Sequence, residues 1–323
     1  MKRRVDIDLM RIIACYAVIY HHSIAYEYFI TSNITGLRYW IHMIASVFCC
    51  YGVPLFFSIS GALLLDRKEE PLNKIFRRFL RIAVILLLFS FFFYLDYIKR
   101  NDVIFSFKDF LYGLYANDWN YAYWFLYAYM LFILLMPFNQ ILCRSLKYRN
   151  IYAIYLVCLT FFYMALLPII NFFLGHELYN SLIIPDAIIY SCMIPLIGNW
   201  FYHTYEGTGR RIIFWLCLSI LGLGITCWVT YLKQGEDVRT PQDFFMSMTV
   251  VYSICLMLFI KKCVIIRSEK ILSLIGIIGK STFGVYLIHV FFVTNYQLDN
   301  SIYYWMVDHN MPHFISGGCQ QLL

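Results

Sequence analysis

The chain has 323 residues, of which 61% are hydrophobic and 14% charged, with a formal net charge of +7. A charged share so far below the ~25% of soluble domains, joined to repeated long apolar runs, excludes a water-soluble globular protein. The basic excess does not point to nucleic acid, because no basic and aromatic residues interleave in a polar context. In such a composition it marks loops on the inner side of a membrane.

Apolar stretches long enough to cross a bilayer, about 20 residues each, fall near 9–28, 40–64, 75–98, 121–142, 151–174, 182–202, 211–232, 244–263 and 274–298. The first follows Met1-Lys2-Arg3-Arg4 and resembles a secretory signal. Tyr20-His21-His22 stands where small cleavage-site residues would be, so it reads as an uncleaved span. The second contains Gly52-Val53-Pro54, which predicts a kink or break. No linker, water-soluble insert or fixed-period repeat interrupts the series. The expected architecture is an all-α polytopic membrane helix bundle of nine transmembrane helices. It forms one domain over 1–298, followed by a short tail, 299–323.

Loops on the N-terminal side carry 20 of the 26 Lys and Arg. The other side keeps six, Arg38, Lys99, Arg100, Lys108, Lys233 and Arg239. This bias predicts a cytoplasmic N-terminus and a tail outside. Most of the eleven cysteines are scattered through apolar segments, with no Cys-x-x-Cys and no Cys/His cluster of zinc-ligand spacing. They read as small packing residues, and no metal is expected.

The stretch Asp8 to Tyr26, DLMRIIACYAVIYHHSIAY, is apolar yet carries Arg11 near its start and His21 and His22 further in. Ionisable side chains in a span usually face a protein interior or a wet cavity. Eleven residues at about 100° each end only ~20° past three full turns, so Arg11 and His22 share a helix face, about 16 Å apart. His21 lies ~80° away and reads as a packing residue. For His22 three uses stay open: a structural hydrogen bond, a proton relay, or a general base.

Lys74, Arg77, Arg78 and Arg81 stand three or four residues apart in KIFRRFLR and predict one basic stripe. A positive anchor for lipid headgroups would look the same as a phosphate clamp. His289, within GVYLIH, is a second buried ionisable at similar depth and is expected either to share a cavity with His22 or to pack. Glu27, Asp96 and His42 sit near outer span ends, where a polar group is cheap. The 28 tyrosines and 29 phenylalanines read as packing and interfacial belts.

Five ordered stretches resemble the acyltransferase-3 family of integral-membrane O-acyltransferases, especially bacterial O-acetyltransferases of cell-surface sugars. They are Asp8-Leu9-Met10-Arg11 with Arg11-x10-His22, VPLFFSISGALLL at 53–65, Arg78-x-x-Arg81, WFLYAYMLFILLMP from Trp124 to Pro137, and GKSTFGVYLIH at 279–289. Together they cover roughly residues 5–290.

The resemblance implies transfer of an acyl group, commonly acetyl from acetyl-CoA, to a carbohydrate hydroxyl at a bacterial inner membrane. It matches His22 to the family's essential histidine, Arg11 to its motif arginine and Asp8 to the acidic residue ahead of it. Arg78 and Arg81 match the pair assigned to donor handling, with Arg77 and Lys74 beside them. Ser58, Ser60 and Gly61 are candidate donors to the transition-state oxyanion, and His289, Ser58 and Trp124 form a candidate second group. No permanently bound cofactor is implied; acetyl-CoA or another acyl-CoA is a substrate. The expected partners are that donor, a carbohydrate acceptor and the bilayer, with no nucleic acid. Members of the family commonly show ten spans, whereas 299–323 holds no apolar run of spanning length, so a truncated last helix is expected. Two other classes stay open, a proton-coupled small-molecule transporter and an inactive truncated member.

Overall fold

The computed structural model describes residues 4–23, 35–67, 70–148, 150–174, 186–203, 209–232, 249–263 and 266–295. The tail 299–323 and the continuation of the first expected span beyond Ser23 lie outside them. Helix α1 (Val5–His21) opens with Asp6 and Asp8 in its first turn, where carboxylates complement the helix dipole. It closes at His22, whose backbone N–H caps Val18 and Ile19, and at Ser23, whose hydroxyl donates to the Tyr20 carbonyl at 2.7 Å. His22 therefore stands at the end of α1 rather than in mid-helix.

The second stretch breaks as Gly52-Val53-Pro54 predicts, into α2 (Gly36–Cys49) and α3 (Gly52–Leu64). Pro54 falls in the first turn of α3, where its missing N–H costs no helical bond. Helix α4 (Leu72–Asn101) ends on Asp102 in the left-handed region. A ten-residue helix that the apolar runs did not foretell follows, α5 (Phe107–Ala116), capped by the Ser106 hydroxyl and ended by left-handed Asn117. A 3₁₀ turn, Tyr121–Tyr123, leads into α6 (Trp124–Tyr148).

Helix α7 (Asn150–Phe161) passes through a π turn into α8 (Leu167–Leu174). Helix α9 (Ile194–His203) follows a second π turn, and α10 (Gly209–Leu232), α11 (Thr249–Cys263) and α12 (Glu269–Val290) complete the series. No strand occurs among the described residues. Five of these helical stretches are long and apolar enough to cross a membrane: Gly36–Leu64, Leu72–Asn101, Tyr121–Leu146, Ile213–Leu232 and Glu269–Val293. The other four expected spans correspond to α1, α7–α8, α9 and α11, which are shorter, interrupted by π turns or bordered by undescribed residues.

Helix α1 is the hub, packing against α2, α3, α11 and α12. The most extensive pairings are α3 with α9 and α1 with α12. Lipid offers little hydrophobic drive between helices, so close backbone approach carries the association. Gly61 and Gly198 make the α3–α9 seam: a Cβ on Gly61 would sit 1.9 Å from the Pro195 carbonyl oxygen, and one on Gly198 2.4 Å from the Ser58 Cα.

Polar side chains tie the same region together. The Asn199 amide donates to the Gly61 carbonyl at 3.0 Å, Gln140 to Leu64 at 3.0 Å and Asn139 to Ser191 at 2.9 Å. The thiols of Cys143 and Cys192 donate to Asn199 and Asn139. Most described cysteines are buried between helices as expected, but Cys158 and Cys217 face outward. The outer surface is apolar too, with Leu80, Val84, Leu87 and Leu88 of α4 exposed, as lipid requires.

Candidate functional site

Two side-chain clusters lie along α1, one toward each end. At its C-terminal end the His22 ring meets two others, with ring centres 5.1 Å from Tyr121 and 5.1 Å from His289. Three separate elements supply this group: α1, the 3₁₀ turn before α6, and the last turn of α12. The His289 Nδ1 lies 2.6 Å from the Tyr286 carbonyl oxygen, which can only accept, so Nδ1 carries the proton. His289 Nε2 is buried, and no described residue hydrogen-bonds to it. His21 packs beside His22 at 5.4 Å and points Nδ1 toward the Cys50 thiol, 3.9 Å away.

Trp124 follows Tyr121 by three residues, one turn along the same face. It stacks edge-on to Tyr190 and lines a cavity of about 580 Å³ with Tyr115, Asn117 and Tyr127. The cavity is aromatic with a few polar atoms, a lining that suits a ligand with both apolar faces and hydrogen-bonding groups.

Nearer the N-terminal end of α1, Arg11 pairs with Asp8 at 3.5 Å. Asp8 is itself 7% exposed and pressed by α12, where a Cβ on Gly279 would lie 2.8 Å from the Asp8 Cβ. Near Arg11, the Tyr129 phenol of α6 lies within electrostatic reach of both Arg11 and Arg78. The α1 face that carries Arg11 and His22 is thus the face turned toward the 121–129 segment.

The four-residue basic stripe does not hold together. Lys74, Arg77 and Arg81 are exposed, whereas Arg78 turns inward. Its guanidinium donates to Glu70 at 2.9 Å and approaches the Met136 sulfur at 3.9 Å. Glu70 also stands 3.9 Å from Arg67. The reason is helical phase: Arg78 shares the face of Ile75 and Ile82, both buried, so it is carried into the bundle and Arg81 is not.

Ser58 joins neither cluster. It is fully buried in the α3–α9 seam against Gly198, and its hydroxyl has no hydrogen-bond partner among the described residues. The backbone near Ser58, Ser60 and Gly61 cannot greet an oxyanion either, because amides inside a helix are already bonded four residues back. The Ser60 hydroxyl donates back to the Phe56 carbonyl of its own helix at 2.8 Å. Tyr121, Tyr129 and Glu70 are the residues sequence reasoning missed: two are hidden among 28 tyrosines, and Glu70 stands in a polar loop like any other. Among the described residues, no group of three His, Cys, Asp or Glu side chains has metal-binding geometry.

A family model described as the acyltransferase domain, of the acyltransferase-3 type, matches residues 4–318. Neither a curated protein nor a solved structure matches the chain. Since the match takes in every element that supplies the two clusters along α1, the chain belongs to the acyltransferase-3 family and is a membrane-embedded acyltransferase.

Proposed function

We propose that this protein moves an acetyl group from acetyl-CoA to a hydroxyl of a cell-envelope carbohydrate, in a bacterial inner membrane and with its N-terminus in the cytoplasm. One observation carries the reading. Arg11 and His22, eleven residues apart on one helix, stand toward opposite ends of α1. Arg11 and Arg78, from two helices, both lie within electrostatic reach of Tyr129, and the ring of His289 meets that of His22 at 5.1 Å.

On this reading Arg11 and Arg78 hold the phosphates of the donor from the inner side, where planar guanidinium forks match phosphate oxygens. Asp8 orients Arg11. Lys74, Arg77 and Arg81, exposed on α4, attract the donor or touch lipid headgroups. The pantetheine arm then spans the ~16 Å to His22.

An alcohol keeps its proton at neutral pH, so attack on a thioester needs a base. His22 takes the hydroxyl proton as the acceptor oxygen bonds to the thioester carbon. The carbon–sulfur bond then breaks, and the departing thiolate recovers the proton from His22. The aromatic cavity beside Trp124 receives the acceptor. The test uses [¹⁴C]acetyl-CoA with membrane vesicles that carry their own envelope acceptor. Wild-type protein labels the envelope fraction and His22→Ala, at equal membrane level, does not. Equal labelling by both removes His22 from the reaction.

A further inference from the structure

In the cluster at the C-terminal end of α1, the backbone dictates the hydrogen-bonding state of His289. Its Nδ1–H is committed to the Tyr286 carbonyl at 2.6 Å. Its Nε2 is therefore a lone pair, held in a residue 4% exposed with no hydrogen-bond partner among the described residues. Leaving such a buried acceptor unmatched is costly, and sites that do so generally reserve it for something.

The nearest candidate is His22, with ring centres 5.1 Å apart and planes tilted by 41°. Two imidazoles joined by an N–H···N bond of ~2.9 Å stand with centres about 5 Å apart. The spacing is already that of a bonded pair; only the ring orientation has to change.

We infer that His289 is a positioning residue for His22: its Nε2 accepts the N–H of His22 and so turns the other His22 nitrogen, unprotonated, toward the acceptor hydroxyl. This rests on the acyl-transfer reading above and adds to it a fixed tautomer. The order of groups is Tyr286 C=O, His289 Nδ1–H, His289 Nε2, His22 N–H, His22 lone pair, acceptor O–H. Each step has one donor and one acceptor, and only the last proton moves in the reaction. When His22 becomes an imidazolium, the N–H facing His289 carries part of the charge. The bond then strengthens without a second charge entering the membrane.

Two substitutions separate this role from packing, because glutamine and asparagine each copy one nitrogen of His289. Gln places an oxygen near the Nε2 position, able to accept from His22, but gives up the bond to Tyr286. Asn keeps a donor for Tyr286 and has nothing at the Nε2 position. With [¹⁴C]acetyl-CoA and native vesicles, His289→Asn should lose on the order of 10²-fold in kcat with KM for acetyl-CoA unchanged. His289→Gln should stay within about tenfold of wild type.

The reverse order, Asn the more active, would mean that the Tyr286 bond matters and overturns the inference. Equal losses in kcat and KM overturn it as well. If His22→Ala itself labels envelope normally, the acyl-transfer reading fails first, and the two failures are told apart. Should the variants not reach the membrane, ¹⁵N-histidine NMR of the wild-type protein in detergent decides. His289 must carry its proton on Nδ1 alone; a proton on Nε2 in the resting protein overturns the assignment.

Discussion

Tyr123 and Tyr286 clamp the same two segments in opposite directions. The Tyr123 hydroxyl donates to the Leu287 carbonyl at 2.7 Å, and the Tyr286 hydroxyl donates to the Ala122 carbonyl at 2.5 Å. This reciprocal pair fixes the 3₁₀ turn before α6 to the last turns of α12, and so holds Tyr121 and His289 where His22 meets both. Each bond should be worth about 0.5–1.5 kcal/mol. Tyr123→Phe and Tyr286→Phe are expected to lower Tm in detergent by a few degrees each. The double variant should lose less than the sum, because the second bond has already slackened. Strict additivity would mean that the two bonds do not act as one clamp.

His22→Ala should abolish acyl transfer, a loss on the order of 10²- to 10⁴-fold, while protein level and Tm stay near wild type. The reason is placement: His22 stands just past the last turn of α1, and the backbone N–H with which it closes the helix on Val18 and Ile19 survives the substitution, so the hub stays intact.

Arg78→Ala should raise KM for acetyl-CoA by at least about tenfold, since charge-assisted bonds to phosphate are the strong ones. Arg81→Ala should change it by no more than two- to threefold, an exposed cation being screened by salt. The double variant should flatten the dependence of donor binding on ionic strength. Unchanged donor binding in the double variant would return the whole stretch to lipid anchoring.

Glu70 occupies the Arg78 fork at 2.9 Å. A carboxylate there competes with a phosphate for the same N–H groups. Glu70→Gln removes the negative charge and should tighten acetyl-CoA binding several-fold, roughly 1 kcal/mol for a partly exposed pair. Weaker binding would show instead that Glu70 serves by shaping the fork. Calorimetric titration of the detergent-solubilised protein measures either outcome.

Gly61→Leu should disrupt the α3–α9 seam, because even a Cβ there would meet the Pro195 carbonyl at 1.9 Å. Overpacking of this kind costs about 1–3 kcal/mol or more. Loss of monodisperse protein on extraction, or a Tm lowered by several degrees, is the expected result. Gly224→Leu is the control, since nothing lies within 4 Å of its Cβ position.

The helical, membrane-spanning character and the break before α3 were legible in the chain alone, because hydropathy and proline chemistry act locally. So was the shared face of Arg11 and His22, which follows from 3.6 residues per turn. What periodicity along one helix cannot supply is the neighbour across the gap. That His289 comes from α12 to meet His22, that Arg78 turns in while Arg81 stays out, and that Ser58 is sealed in a glycine seam were all decided by interhelical packing. The pair Glu70–Arg78 and the tyrosines at 121 and 129 belong to the same class. Their significance is a matter of which helices touch, and in lipid that is settled by close van der Waals fit and a few buried hydrogen bonds rather than by any pattern visible along the sequence.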